Sequence, residues 1–191
     1  KRHFNHIGLI ALVFVITSIN GFSQSTYTWN QTGTADWTVA SNWTPNRGTP
    51  AANDILVFNN AAITTPINIP TETIGQLSVT NNTTVNLQGG AVGTILTISG
   101  LTGTDLSVDA GSALNINVVT NTTTISLATG ATGSITGNMT FSNDAHRLDA
   151  ADASGIIFNS PSVFTQGTGC TGNVFTAAGT NNAIVFATGA T

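Results

Sequence analysis

The chain is almost without charge. Of its 191 residues only twelve are Asp, Glu, Lys or Arg, about a quarter of the usual share. From Gln24 onward there are eight acids and two arginines, a net charge of −6. Such a chain has no electrostatic footprint for nucleic acid or for an anionic membrane surface. Cys170 is the one cysteine, so no intrachain disulfide is available. It stands in G-T-G-C-T-G with no His or acid beside it and reads as a small buried residue. Cys/His metal spacing, a phosphate-binding glycine loop, a nucleophile elbow and a basic aromatic patch are all missing. The sequence therefore points to no catalytic residue, metal or cofactor. Long apolar runs are lacking too. Ile7 to Ile16 is the longest, and it is too short to span a bilayer.

In place of charge stand 34 threonines, 21 asparagines and 20 glycines. Threonine is β-branched and suits strands, whereas Asn and Gly suit turns and left-handed backbone. The apolar share is ordinary and aliphatics recur regularly, so the low charge does not signal disorder. The composition points to an all-β chain with many tight corners.

One stretch occurs twice. Thr80 to Ile95 and Thr120 to Ile135 agree at nine of sixteen positions, among them Leu87/Leu127, Gly90/Gly130 and Gly93/Gly133. A repeat of apolar strand, glycine turn and apolar strand is the mark of a solenoid. Short apolar strands recur through the rest of the chain in two interleaved series. One runs Val57, Leu77, Leu96, Leu114, Ile135, Ile156, Phe175. The other runs Ile67, Leu87, Leu106, Ile125, Leu148, Phe164, Val185. This spacing predicts a right-handed parallel β-helix with coils of about 20 residues, each series forming one stacked column and the forty-residue repeat spanning two coils. Within strands such as Asp105-Leu106-Ser107-Val108-Asp109 the apolar residues alternate with polar ones, as a half-buried strand requires. Stacked Asn side chains can form hydrogen-bond ladders. A charge at equivalent positions of every coil would repel its neighbour at about 4.8 Å, which explains why charge is scarce. The alternative fold is an antiparallel β-sandwich.

Three regions are expected. Residues 1–23 read as a secretory signal peptide: Lys1, Arg2 and His3 form a positive start, the apolar run follows, and small residues Gly21 and Ser23 precede a cleavage site before Gln24. The mature chain is then exported, engaging export machinery and placing no span in a membrane. The chain does not open with Met, so its start is expected to be incomplete. Residues 24–62 hold all the tryptophans, Trp29, Trp37 and Trp43, and read as an N-terminal aromatic cap covering the open end of a solenoid. The other reading of these tryptophans is a sugar-stacking platform. Residues 63–191 read as β-helix coils, with a strand and turn at the end and an expected continuation beyond Thr191.

The segments W-T-V-A-S-N-W-T-P, P-A-A-N-D-I-L-V-F, D-L-S-V-D-A-G-S-A-L-N-I and A-I-V-F-A-T-G-A-T resemble the start of large bacterial surface β-helix proteins, autotransporter-like or type IX-secreted, with an adhesin-like repeat region. The resemblance implies Gram-negative export to the cell surface and a sorting domain further along. It implies no catalytic residues.

Candidate chemistry is sparse. Asp144, His146, Arg147, Asp149 and Asp152 form the one charged cluster. They read either as an acid–base or metal site on one coil, or as a solvated inserted loop. Asp105 and Asp109 read as surface residues. The leading function is a non-catalytic, secreted or cell-surface structural or adhesin-like protein whose partners are surface glycans or other surface proteins. A polysaccharide lyase or hydrolase and a carbohydrate-binding module are the alternatives.

Overall fold

The computed structural model describes residues 24–175 and 182–191; the expected signal peptide lies outside them. Strands follow one another with little between them. The first coil holds β1 (Thr26–Trp29) and β2 (Gly33–Asp36), then a 3-10 turn at Ala40–Asn42 and the short β3 (Trp43–Thr44). The second holds β4 (Ile55–Phe58), β5 (Ile63–Ile67) and β6 (Glu72–Ile74), and the third β7 (Gln76–Val79), β8 (Thr84–Leu87) and β9 (Thr94–Ile98). The fourth holds β10 (Leu106–Val108), β11 (Ala113–Ile116) and β12 (Thr123–Leu127). β13 (Gly133–Ile135), β14 (Asn138–Phe141) and β15 (Arg147–Ala150) make the fifth, and β16 (Ile156–Phe158) and β17 (Val163–Gln166) lead to β18 (Ile184–Phe186).

These strands stack into three sheets, and every pairing between coils is parallel. The first sheet runs β1-β4-β7-β10-β13-β16-β18, the second β2-β5-β8-β11-β14-β17, and the third β6-β9-β12-β15. The protein is a parallel β-solenoid of about 6 turns. The antiparallel sandwich is excluded by these registers, since among the described residues only β1 and β3 pair antiparallel.

The core is built by alternation. β4, β7, β8 and β11 each present half-buried and buried residues in turn. Leu56, Leu77 and Leu106 stack in register on the first sheet, Val85, Leu114 and Met139 on the second, and Leu96, Ile125 and Leu148 on the third. All are at most 1% exposed, and each such side chain contributes roughly 1.5–3 kcal/mol from burial.

The registers correct the expected columns. Leu77, Leu96 and Leu114 lie on the first, third and second sheets, not above one another. Successive partners on the first sheet are Leu56, Leu77, Leu106, Gly133, Ile156 and Ile184, so a coil spans 21 to 29 residues there rather than about 20. The forty-residue repeat is likewise not two coils. Its first copy runs from β8 on the second sheet to β9 on the third; its second runs from β12 on the third to β13 on the first. Leu87 pairs with Ile116, and Leu127 lies one strand further along the coil. The repeat is a strand–corner–strand unit used at two different corners. A three-sided coil has strands about every ten residues, so a spacing near twenty skips a side.

At the N-terminal end the aromatics cap the solenoid from within. β1 and β2 are themselves rungs, parallel to β4 and β5. Trp29, Trp37, Trp43 and Phe58 pack at centroid separations of 4.9 to 6.5 Å.

Candidate functional site

The tryptophans are not a sugar platform. Trp29, Trp37 and Trp43 are 1–2% exposed, and their ring nitrogens point into the fold. Trp29 Nε1 donates to Thr64 Oγ1, Trp37 Nε1 to Glu72 Oε1 and Trp43 Nε1 to the Trp37 carbonyl. No indole face is left for a pyranose to stack on. The plug also holds an ion network that sequence reasoning missed. Arg47, itself buried, donates from Nε to Asp54 at 2.8 Å and from both terminal nitrogens to Glu72 at 3.0 and 3.1 Å. Its guanidinium lies 5.8–5.9 Å from the ring centroids of Trp37 and Trp43. Glu72 pairs in register with Leu96, so the inner column of the third sheet begins with a carboxylate where it meets this plug. An Arg and an Asp in a Pro/Gly/Asn loop gave no hint of burial.

The cluster from Asp144 to Asp152 does not converge on one centre. Leu148 is a regular rung beneath which Ile125 sits, so no loop is inserted there. Asp144 accepts the Ala145 N–H at 2.7 Å, and Asp152 accepts the Gly130 N–H on a turn of the preceding coil at 2.5 Å. His146 is fully buried. Its Nδ1 accepts the Thr123 N–H and its Nε2 bonds the Val118 carbonyl, both at 3.1 Å. Burial, partly offset by the Val118 bond and the Asp144 charge, holds its pKa below the usual imidazole range. Among the described residues no group of three or more His, Cys, Asp or Glu is placed to hold a metal. Cys170 is half-buried, and burial raises its thiol pKa.

Arg147 and Asp149 do share a face. On β15 they are two residues apart and point outward, Arg147 exposed and Asp149 half-buried. Register places them above two columns on the third sheet: Ile95, Thr124 and Arg147 in one, Thr97, Ser126 and Asp149 in the other. All of these but Thr97 line an open groove of about 420 Å³, with Gly93, Thr122 and Ala145 beside them. Ile95 is 41% exposed and gives the floor its one apolar patch. His146 supports the groove from inside. It lies between Ala145 and Arg147, and its bond to Thr123 reaches the strand between Thr122 and Thr124.

The other two outer faces carry polar ladders. Ser107 Oγ donates to Ser78 Oγ at 2.8 Å on the first sheet, and Asn115 Nδ2 donates to Asn86 Oδ1 at 3.0 Å on the second. Asp109 is exposed as expected, but Asp105 is 1% exposed. Its carboxylate accepts the Leu101 and Thr132 N–H groups at 2.6 and 2.8 Å. Asp105 thus ties one turn to the next coil and is no surface residue.

The fold defines the class: a parallel β-solenoid with an internally plugged N-terminal end and hydroxyl- and amide-rich outer faces. Comparison with protein-family models, curated proteins and solved structures finds no match. Among the described residues no helix is long and apolar enough to cross a membrane.

Proposed function

We propose that this chain is a non-catalytic structural solenoid, exported and presented at the cell surface, whose outer faces make weak, repeated contacts with surface glycans or surface proteins. The observation that carries the reading is the ladder arrangement of Ser78–Ser107 and Asn86–Asn115. Rows of hydroxyls and amides repeat along the axis at coil spacing, about 4.8 Å. Many weak contacts of one kind give avidity without a single deep pocket. The positive start and apolar run of residues 1–16, with Gly21 and Ser23 ahead of Gln24, support export. The resemblance to autotransporter-like and type IX-secreted surface proteins agrees with that reading.

An enzyme reading would need acid and base groups gathered over one hollow. Asp144, His146 and Asp152 are each occupied in separate bonds to backbone, so they lend it no support. Protease treatment of intact producing cells tests the proposal. Loss of the protein from cells whose cytoplasmic markers stay intact is expected. Full protection that ends only on lysis would contradict it.

A further inference from the structure

The groove over the third sheet combines three features. It is concave, it holds both an exposed cation and a carboxylate, and it has an apolar floor patch in Ile95. Resting on the surface role proposed above, we infer that this groove is a glycan site, and that its ligand is an uncharged polysaccharide chain lying along the solenoid axis.

Chemistry on the groove floor selects this ligand. Arg147 supplies donors and makes no ion pair among the described residues. Asp149 supplies an acceptor on the same coil face, and Thr124 and Ser126 supply a donor and acceptor each one coil below. Vicinal hydroxyls of a sugar both donate and accept, so they match a surface that offers both. The flat C–H face of a pyranose matches Ile95. Charge argues against a polyanion: the exposed Arg147 is offset by Asp149 beside it, and the chain from Gln24 carries a net −6, which repels a polyuronate. Geometry sets the direction. One row of the lining runs Ile95, Thr124, Arg147 across three coils, and beside it Ser126 and Asp149 run across two. Coils stack about 4.8 Å apart, close to the length of one pyranose unit in an extended chain, so successive sugars meet successive coils.

Isothermal titration of the purified full chain with cellohexaose, xylohexaose and mannohexaose, with oligogalacturonate as the charged comparison, tests the assignment. Binding of at least one uncharged hexaose is expected, stronger than binding of oligogalacturonate. Arg147→Ala and Asp149→Ala should each weaken it tenfold or more. Asp149→Asn should restore part of it, and Asp109→Ala, on another turn, should leave it unchanged, all with unaltered circular dichroism. No heat with any uncharged sugar, preference for oligogalacturonate, or affinity indifferent to Arg147 and Asp149 would each overturn the assignment. A chain exposed on cells yet silent in the titration sinks the glycan site and leaves the surface role standing. Binding intact in a chain confined inside the cell does the reverse.

Discussion

His146 in the turn before β15 accepts the backbone N–H of Thr123, at the start of β12 one coil below, through Nδ1 at 3.1 Å. Because Nδ1 accepts, the ring proton sits on Nε2, where it donates to the Val118 carbonyl. Only the neutral ring can make this pair of bonds, and the ring is fully buried.

Acid should therefore loosen the fold at this coil. The folded pKa lies below the free value of 6.5, so the unfolded chain takes up the proton first. The stability due to neutral His146 is complete above pH 6.5 and is lost as pH falls from there through the folded pKa, at no more than about 1.4 kcal/mol per pH unit. Asp144 is the nearby charge and favours the protonated ring. Urea titrations at pH 7.5 and 5.5 should show a drop in wild type that is smaller in His146→Gln. An equal drop in both would remove His146 as its source.

Removing Arg47 should cost more than any surface change. Asp54 and Glu72 would be left as carboxylates at 2% and 12% side-chain exposure with no cation beside them. Breaking a buried pair in this way costs about 3–5 kcal/mol. Arg47→Ala should lower the urea midpoint accordingly, and Arg47→Lys should recover part of the loss but not the forked bond to Glu72. Near-wild-type stability of Arg47→Ala would show that the network is open to solvent.

Gly137 turns the shortest corner between the first and second sheets. A Cβ there would overlap the carbonyl oxygens of Ser112 and Asp109 in the coil below. Gly137→Ala should destabilise by roughly 1–3 kcal/mol, as overpacking does. Gly48 has open space around its Cβ position, so Gly48→Ala should stay within about 0.5 kcal/mol of wild type. Thermal melts of the two variants check the contrast.

Charge introduced into a ladder should behave cooperatively. Asn86 and Asn115 are register partners joined at 3.0 Å. Asn86→Asp with Asn115→Asp places like charges one coil apart, and the double variant should lose up to about 1 kcal/mol more than the two single variants together. The excess should vanish at pH 3, where both carboxyls are neutral. Additive losses at pH 7 would mean the ladder is too solvated to matter.

Composition and alternation made the class of fold legible: Thr, Asn and Gly in place of charge, and Leu106-Ser107-Val108 pointing in and out by turns. What they could not reveal was which strand lies on which. Leu77 and Leu96 look equivalent as apolar strand centres, yet one sits on the first sheet and the other on the third. Corners of unequal length, from the short turn at Gly137 to the long excursion between β3 and β4, hide the true register. The tryptophan-rich stretch was legible as a cap, but not the inward aim of its indoles. That depends on Glu72 and Thr64, about 35 residues away in sequence. Arg147 and Asp149 stand out in the sequence only as members of a charged cluster that reads as an acid–base or metal site or as a solvated loop. Their partners in the groove, Ile95 and Thr124, became visible only once β9 and β12 were in register.

Register on the third sheet carries both the fold and the groove, so the most direct measurement is a nuclear Overhauser map of the backbone there. Thr124 should show cross-strand contacts to Ile95 on one side and Arg147 on the other, in a parallel pattern, with none linking Leu77 to Leu96. An antiparallel pattern, or Arg147 distant from Thr124, would contradict the solenoid and dissolve the groove with it.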